Sequence, residues 1–283
     1  MNNPIAVFDS GLGGLTVVRQ LIRRMPLESI VYFGDTARVP YGIKSAETIT
    51  RFAQEDIEFL EAFQPKLMIA ACNTASAVAL PRLDAHCSVP LLGVVEPGAR
   101  AAVAKTRNRR VGVIGTEATI NSGSYSRCIK TLAPGVDVIG KACPLLVPLV
   151  EEGRNSGDAI VLMALEEYLA PLKAGGVDTV VLGCTHYPLL KAAIRRVMGP
   201  GVSIVDSALE TARAAAALLA ASGALAPAAS KLAASKPDHT FFASDSPNRL
   251  MQLGRRFLGG VIESVGLVQP ELIDGRHVLR AVG

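Results

Sequence analysis

Short apolar runs alternate along the chain with longer stretches in which apolar residues recur every three or four positions. The runs Ile5–Phe8, Ile30–Phe33, Leu67–Ala71, Leu91–Val95, Arg110–Ile114, Val136–Gly140, Thr179–Gly183, Ser203–Val205 and His239–Ala243 predict strands. Between them Ala46–Phe63, Asp158–Ala174 and Pro188–Val197 predict helices, the first with Ile49, Phe52, Ala53, Ile57, Leu60 and Phe63 on one face. Strands interleaved with helices predict an α/β fold with mainly parallel sheets. Ligands of such sheets bind beyond the carboxyl ends of the strands, so position there is the test for every candidate residue. The Ala-rich stretch Ala212–Ser235, with Pro227, predicts a surface helix running into a loosely constrained connection without chemistry.

The pattern echoes itself. IAVFDSG at Ile5–Gly11 resembles VGVIGTE at Val111–Glu117, and LMIAACNTAS resembles VVLGCTHYP at Val180–Pro188. The two pairs are separated by nearly the same interval, which predicts two similar α/β halves. Each half then carries one cysteine, Cys72 or Cys184, at an equivalent strand end, so the two thiols face each other across a cleft.

Composition narrows the class. The chain has 283 residues, 49% hydrophobic and 19% charged, which is globular and long enough for a substantial core. The net charge of +4 is scattered. Its densest cluster, Lys105–Arg110, lacks interleaved aromatic residues and reads as a solvated turn before a strand, not a nucleic-acid patch. No apolar run reaches the ~18 residues of a membrane span, and the N-terminus lacks the pattern of a signal peptide. Five widely spaced cysteines argue against a disulfide framework and for a reducing, cytoplasmic setting.

A lone cysteine is most often a small buried hydrophobe. The second copy, in GCTHYPLL at Gly183–Leu190, changes that reading for Cys72. Both thiols sit where a strand opens into a helix start, and Pro188 suits a first helical turn. Helix N-termini lower thiol pKa values, so an enriched thiolate fraction is expected at both. DSGLGG, Asp9–Gly14, departs from the dinucleotide fingerprint because Thr16 stands where its last glycine belongs. Its glycines can instead form a tight turn whose amides face a small anion, with Asp9 projecting from the strand end towards the cleft. Pro40-Tyr41-Gly42 reads as a turn after the second strand. Cys184 with His186 could be half a metal site, but zinc wants about four ligands and only Cys72 offers itself as a third. A Cys-His hydrolase is the other reading, and it leaves one cysteine without a task. Racemisation uses both: one group takes a proton from one face of a carbon, and its counterpart delivers a proton to the other. Asp9 and His186 could then each assist one thiol. His86, His239 and His277 have no supporting neighbours and read as structural or surface residues.

Together these motifs resemble those of the cofactor-independent glutamate racemases. The matching segments are DSGLGG, VPYG at Val39–Gly42, CNTAS at Cys72–Ser76, VPLVEEG at Val147–Gly153 and GCTHYPLL, in the family's order. The resemblance runs from Ile5 to about Ala212 and is looser beyond. Aspartate racemases are similar in plan but carry other residues after their cysteines, and a racemase for aspartate or another amino acid is the neighbouring alternative. A catalytically idle binding protein on this scaffold is the alternative of a different class.

The resemblance implies two pseudo-symmetric α/β domains, 1–97 with 209–283 and 98–208, with the active site in the cleft between them. It implies an isomerase that interconverts L- and D-glutamate without metal or other cofactor, the D-glutamate serving peptidoglycan synthesis and hence cell-wall biogenesis and cell shape. Cys72 would deprotonate D-glutamate and Cys184 L-glutamate, with Asp9 near the first thiol, His186 beside the second, and Glu151 (or, second, Glu152) also involved. Substrate contacts carry over to Asp9, Ser10, Tyr41, Gly42, Asn73, Thr74, Thr185 and His186. The expected partner is the small-molecule substrate, with neither nucleic acid nor membrane, and a homodimer is possible because oligomeric state varies in the family. Only four residues precede the first strand, so the activation by a cell-wall precursor that accompanies a longer N-terminal extension in some members is not expected.

Overall fold

The computed structural model describes residues 3–83, 87–227, 237–273 and 276–282. Its strands are β1 (Ile5–Asp9), β2 (Ile30–Gly34), β3 (Leu67–Ala70), β4 (Leu91–Gly93), β5 (Arg110–Gly115), β6 (Asp137–Ala142), β7 (Thr179–Gly183), β8 (Ser203–Asp206), β9 (His239–Ala243), β10 (Gly266–Ile273) and β11 (Arg276–Val282). They form a seven-stranded sheet in the order β11-β10-β9-β2-β1-β3-β4 and a four-stranded sheet in the order β6-β5-β7-β8. Every pairing is parallel except the β10–β11 hairpin. Helices cover both faces, which is why β1, β2, β3 and β7 are buried residue after residue and not alternately.

The internal echo is visible in the topology. β2-β1-β3-β4 and β6-β5-β7-β8 share one strand order, with Asp9 and Gly115 as the last residues of the two central strands. Cys72 lies just beyond β3 and Cys184 directly after β7, the equivalent strands. Each sheet has its own buried clusters on its two faces. Phe8, Phe33, Ile49 and Leu60 mark one face of the larger sheet, and Leu165, Leu169, Leu182 and Ile194 one face of the smaller.

Side-chain caps start the long helices. Ser45 Oγ accepts from Thr48 N–H ahead of helix Ala46–Glu61. Asp158 accepts from the Ile160 and Val161 amides ahead of helix Ala159–Ala174. Each cap satisfies donors that the helix itself leaves unpaired.

Several expectations change. The strand expected to reach Val95 ends at Gly93, and Val95 begins helix Val95–Lys105. The helix expected from Pro188 starts as a 3₁₀ turn, Tyr187–Leu190, before helix Lys191–Met198. The Ala-rich helix, Ser207–Ala221, is not a surface element: Ala208, Ala212, Ala215 and Leu219 are buried in the core shared with Leu15, Val18 and Leu21. Small side chains there let two helices approach closely. The rest of that predicted connection, 228–235, lies outside the described residues, as does His86. His239 sits in β9, half-buried, and the backbone of His277 in β11. The basic cluster is indeed a turn, held by Asp178, which accepts from the Arg107 and Asn108 amides at 2.6 and 2.7 Å. Among the described residues no helix is long and apolar enough to cross a membrane.

Candidate active site

The carboxyl ends of β1, β2 and β3 face those of β5 and β7 around a cavity of about 270 Å³. Its walls include Ser10, Tyr41, Gly42, Cys72, Asn73 and Thr74 from the first half, and Cys184, Thr185 and His186 from the second. The structure thus brings both thiols and most of the expected contact residues to one cavity. None of the five cysteines is in a disulfide. Among the described residues no group of three or more Cys, His, Asp or Glu side chains is placed to hold a metal ion.

Cys72 is the N-cap of helix Asn73–Val78, its sulfur accepting from the Ala75 amide at 3.5 Å, with Ser10 Oγ also at 3.5 Å. The helix start does not lower its pKa as expected. Burial and the nearby Asp9 charge push the thiol up to about 12, against the hydrogen bonds from Ala75 and Ser10. A capping amide at sulfur distance is a weak donor, while desolvation acts on the whole charge. Without substrate, burial therefore favours the thiol form of Cys72. Iodoacetamide at pH 8 is expected to alkylate it on the order of 10²–10³ times more slowly than an unhindered thiol, since the thiolate fraction falls tenfold per pKa unit. Peptide mass mapping against Cys72→Ser reads this, and alkylation at the rate of free cysteine would contradict it.

Cys184 stands beside a different neighbour. His186 Nδ1 lies 3.9 Å from its sulfur, and His186 Nε2 lies 3.1 Å from Glu151 Oε1. Burial disfavours the charged imidazole, but the hydrogen bonds to Cys184 and Glu151, with the charges of Cys184 and Asp9, push it up to about 10. Glu151 is held below the usual carboxylate range, chiefly by the hydrogen bond to His186 against partial burial. Glu151 does not line the main cavity and touches the site only through His186. It is Glu151, and not Glu152, that makes this contact.

Asp9 departs from expectation. It does not project into the cavity but is completely buried beneath its wall. Its Oδ2 accepts from the Gly11 amide at 3.0 Å, and its Oδ1 lies 3.5 Å from Thr185 Oγ1. The Gly11 and Gly14 amides of the turn therefore serve the protein's own carboxylate. Burial raises the pKa of Asp9, opposed by the His186 charge and by the Gly14 and Gly11 amides.

Tyr41 lines the cavity with its ring, but its hydroxyl turns away. It donates to Asp35, with Asp56 Oδ2 at 3.2 Å. Arg38 closes this buried cluster through Nε to Asp35 at 2.6 Å and a second nitrogen to Asp56 at 2.9 Å. The Pro40–Gly42 turn is thereby clamped from behind, and the Tyr41 hydroxyl is not free to meet a ligand.

Asn73 is set up the opposite way. Tyr125 OH donates to its Oδ1 at 2.6 Å, while its buried Nδ2 has no hydrogen-bond partner. An amide donor buried in a cavity wall without an acceptor is costly unless something entering the cavity supplies one. Thr74 Oγ1 meets Thr116 and Thr119 from the other half at 2.9 and 3.2 Å. Thr116 and Glu117 also line the cavity, and sequence reasoning passed over both. The signal was present: in the internal echo, Thr116 occupies the position of Ser10.

The family model described as Asp/Glu/Hydantoin racemase matches residues 14–215. Glutamate racemase of Geobacter metallireducens is 50% identical over 267 residues, 94% of this chain and 97% of that protein. The crystal structure of a glutamate racemase isoform from Bacillus anthracis superposes with a TM-score of 0.89 at 41% identity, covering 94% of this chain and 97% of that one. That of the Francisella tularensis glutamate racemase, in complex with D-glutamate, gives 0.86 at 35%, covering 95% and 98%.

Proposed function

Since the chain belongs to the Asp/Glu/hydantoin racemase family and is an amino-acid racemase, we propose that it interconverts L- and D-glutamate with Cys72 and Cys184 as the two acid/base groups. The observation that carries this reading is that equivalent strand ends of the two halves each deliver one thiol to one cavity. In the L-to-D direction Cys184, as thiolate, takes the α-proton, and Cys72, as thiol, delivers its proton to the opposite face. In the reverse direction the roles exchange. A near-symmetric reaction is served by a near-symmetric site.

The surroundings of the thiols support these roles. His186, cationic over the neutral range, puts a positive charge beside the sulfur that receives the proton of L-glutamate. Cys72, protonated at rest, is the donor that the same direction needs. Carbanion character at Cα is stabilised by donors that meet the substrate carboxylates, and Asn73, a wall residue whose Nδ2 has no partner in the protein, can supply one. Asp9 acts from behind the wall, holding the wall residue Thr185 and the glycine turn in place. Ser10, Gly42 and Thr74 complete the wall, with Tyr41 contributing its ring and backbone. The D-glutamate formed would supply peptidoglycan synthesis, placing the enzyme in cell-wall construction.

The test is incubation with pure L-glutamate in deuterated water, with chelator and no added cofactor, followed by circular dichroism and the α-proton NMR signal. Decay of the dichroism to zero with deuterium entering at Cα is the expected result. Exchange without loss of dichroism would remove one thiol from the mechanism. Neither change would overturn glutamate as substrate, and the same assay with aspartate and other amino acids would then separate a different racemase from an idle binding protein.

A further inference from the structure

Glu151 carries an unequal burden for a residue outside the cavity. It is the last residue of helix Leu146–Glu151, the end at which a helix disfavours negative charge. Its two oxygens face two different cations. Oε1 lies 3.1 Å from His186 Nε2, and Oε2 lies 3.8 Å from a guanidinium nitrogen of Arg249. Arg249 belongs to helix Pro247–Leu258, which follows β9 of the seven-stranded sheet. Glu151 and His186 belong to the other half. Arg249 and Glu151 both line a second, smaller cavity of about 70 Å³, with Gly11, Thr36, Val39 and Asp245 among its other walls.

The geometry points to Arg249 as a positioning residue for the Cys184 side of the site, acting across the two halves through Glu151 and His186. This rests on the glutamate racemase reading above. One cation on each oxygen fixes the plane of the Glu151 carboxylate. That plane fixes the His186 ring, and the ring presents Nδ1 to Cys184. Because Arg249 and Glu151 ride on different sheets, the chain of contacts is complete only when the two halves stand close. The hydrogen-bond neighbours of Cys72, Ser10 Oγ and the Ala75 amide, both lie within its own half. The charged groups concerned are Cys184, Asp9 and Glu151 around His186, His186 and Arg249 around Glu151, and Asp245 in the small cavity beside Arg249.

Arg249→Met and Arg249→Lys test this. The side chain is largely exposed, so its effect is that of a solvent-screened pair, and Arg249→Met should lower kcat/KM by about threefold to tenfold. The equilibrium constant of a racemisation is one, so kcat/KM must fall equally in both directions. The asymmetry appears instead in primary isotope effects. The effect with [2-²H]-L-glutamate, whose deuteron Cys184 removes, should rise, while that with [2-²H]-D-glutamate should fall, because the Cys184 step then limits both directions. The His186 ring-nitrogen ¹⁵N shifts, followed without substrate, should move in Arg249→Met as the Glu151 contact loosens, and Arg249→Lys should restore all three readouts. Isotope effects unchanged from the wild type in both directions, or unmoved His186 ¹⁵N shifts, would overturn the inference. A wild-type protein inert towards glutamate removes the underlying reading, whereas a racemising wild type with an indistinguishable Arg249→Met removes this inference alone.

Discussion

Cys72→Ser and Cys184→Ser each lose racemisation of glutamate by about 10²- to 10⁴-fold, the range a positioned general acid or base contributes. An alcohol keeps the shape of the side chain and its capacity to donate a hydrogen bond, but it is far harder to ionise than a thiol. The two variants fail differently. Cys72→Ser retains Cys184 and its His186 neighbour, so it still removes the α-proton of L-glutamate and returns one to the same face. Cys184→Ser retains Cys72 and does the same with D-glutamate. In deuterated water each variant therefore exchanges the α-proton of one enantiomer without inverting it. Chiral chromatography with NMR detection reads both quantities. Near-normal turnover in either variant would show that one thiol suffices and would end the two-base mechanism.

Gly13→Ala costs about 10²-fold in kcat, the loss that follows when a reacting group is displaced by about an ångström. A Cβ at Gly13 would lie 2.1 Å from Thr185 Oγ1, 2.6 Å from His186 Nδ1 and 2.7 Å from His186 Cε1. Neither neighbour yields cheaply. Thr185 is tied to the buried Asp9, and His186 is buried and hydrogen-bonded to Glu151. The atom that moves is the ring nitrogen facing Cys184. Gly11→Ala is the control, because its Cβ meets only Val39 Cγ1 at 3.0 Å, on a half-exposed side chain that can turn aside. Activity of Gly13→Ala within a few-fold of wild type, at unchanged Tm, would show that the His186 position tolerates the shift.

The inner strands were legible because burial on both faces writes each as an unbroken apolar run. The β10–β11 hairpin was not. It lies at the sheet edge, where Gln269, Glu271 and Arg280 alternate with apolar residues, and Pro270 within β10 weakens the pattern of a strand. The Ala-rich helix was misread because alanine is compatible with both a surface and a tight helix contact, and only its packing against helix Leu15–Arg24 distinguishes them. Domain limits at 98 and 209 lie close to where the chain leaves the larger sheet after β4 and the smaller after β8, and segment-wise unfolding would test them as limits of cooperative units.

The sequence by itself determined the α/β class, the duplication, and the pair Cys72 and Cys184, since strand periodicity and repeated motifs are local and survive in one dimension. It also marked Ser10, Asn73, Thr74, Thr185 and His186 by their place after strand ends. What these groups do depended on distance in three dimensions. Asp9 turned inward because the amide of its own turn satisfies it, and the Tyr41 hydroxyl turned away to a buried carboxylate pair. Cys72 favours its thiol form because desolvation and the Asp9 charge outweigh the hydrogen bonds from Ala75 and Ser10. Gly13 against His186, and Arg249 against Glu151, join residues far apart in the chain. Such contacts have no period and no motif: they exist only once two independently patterned halves have closed on each other.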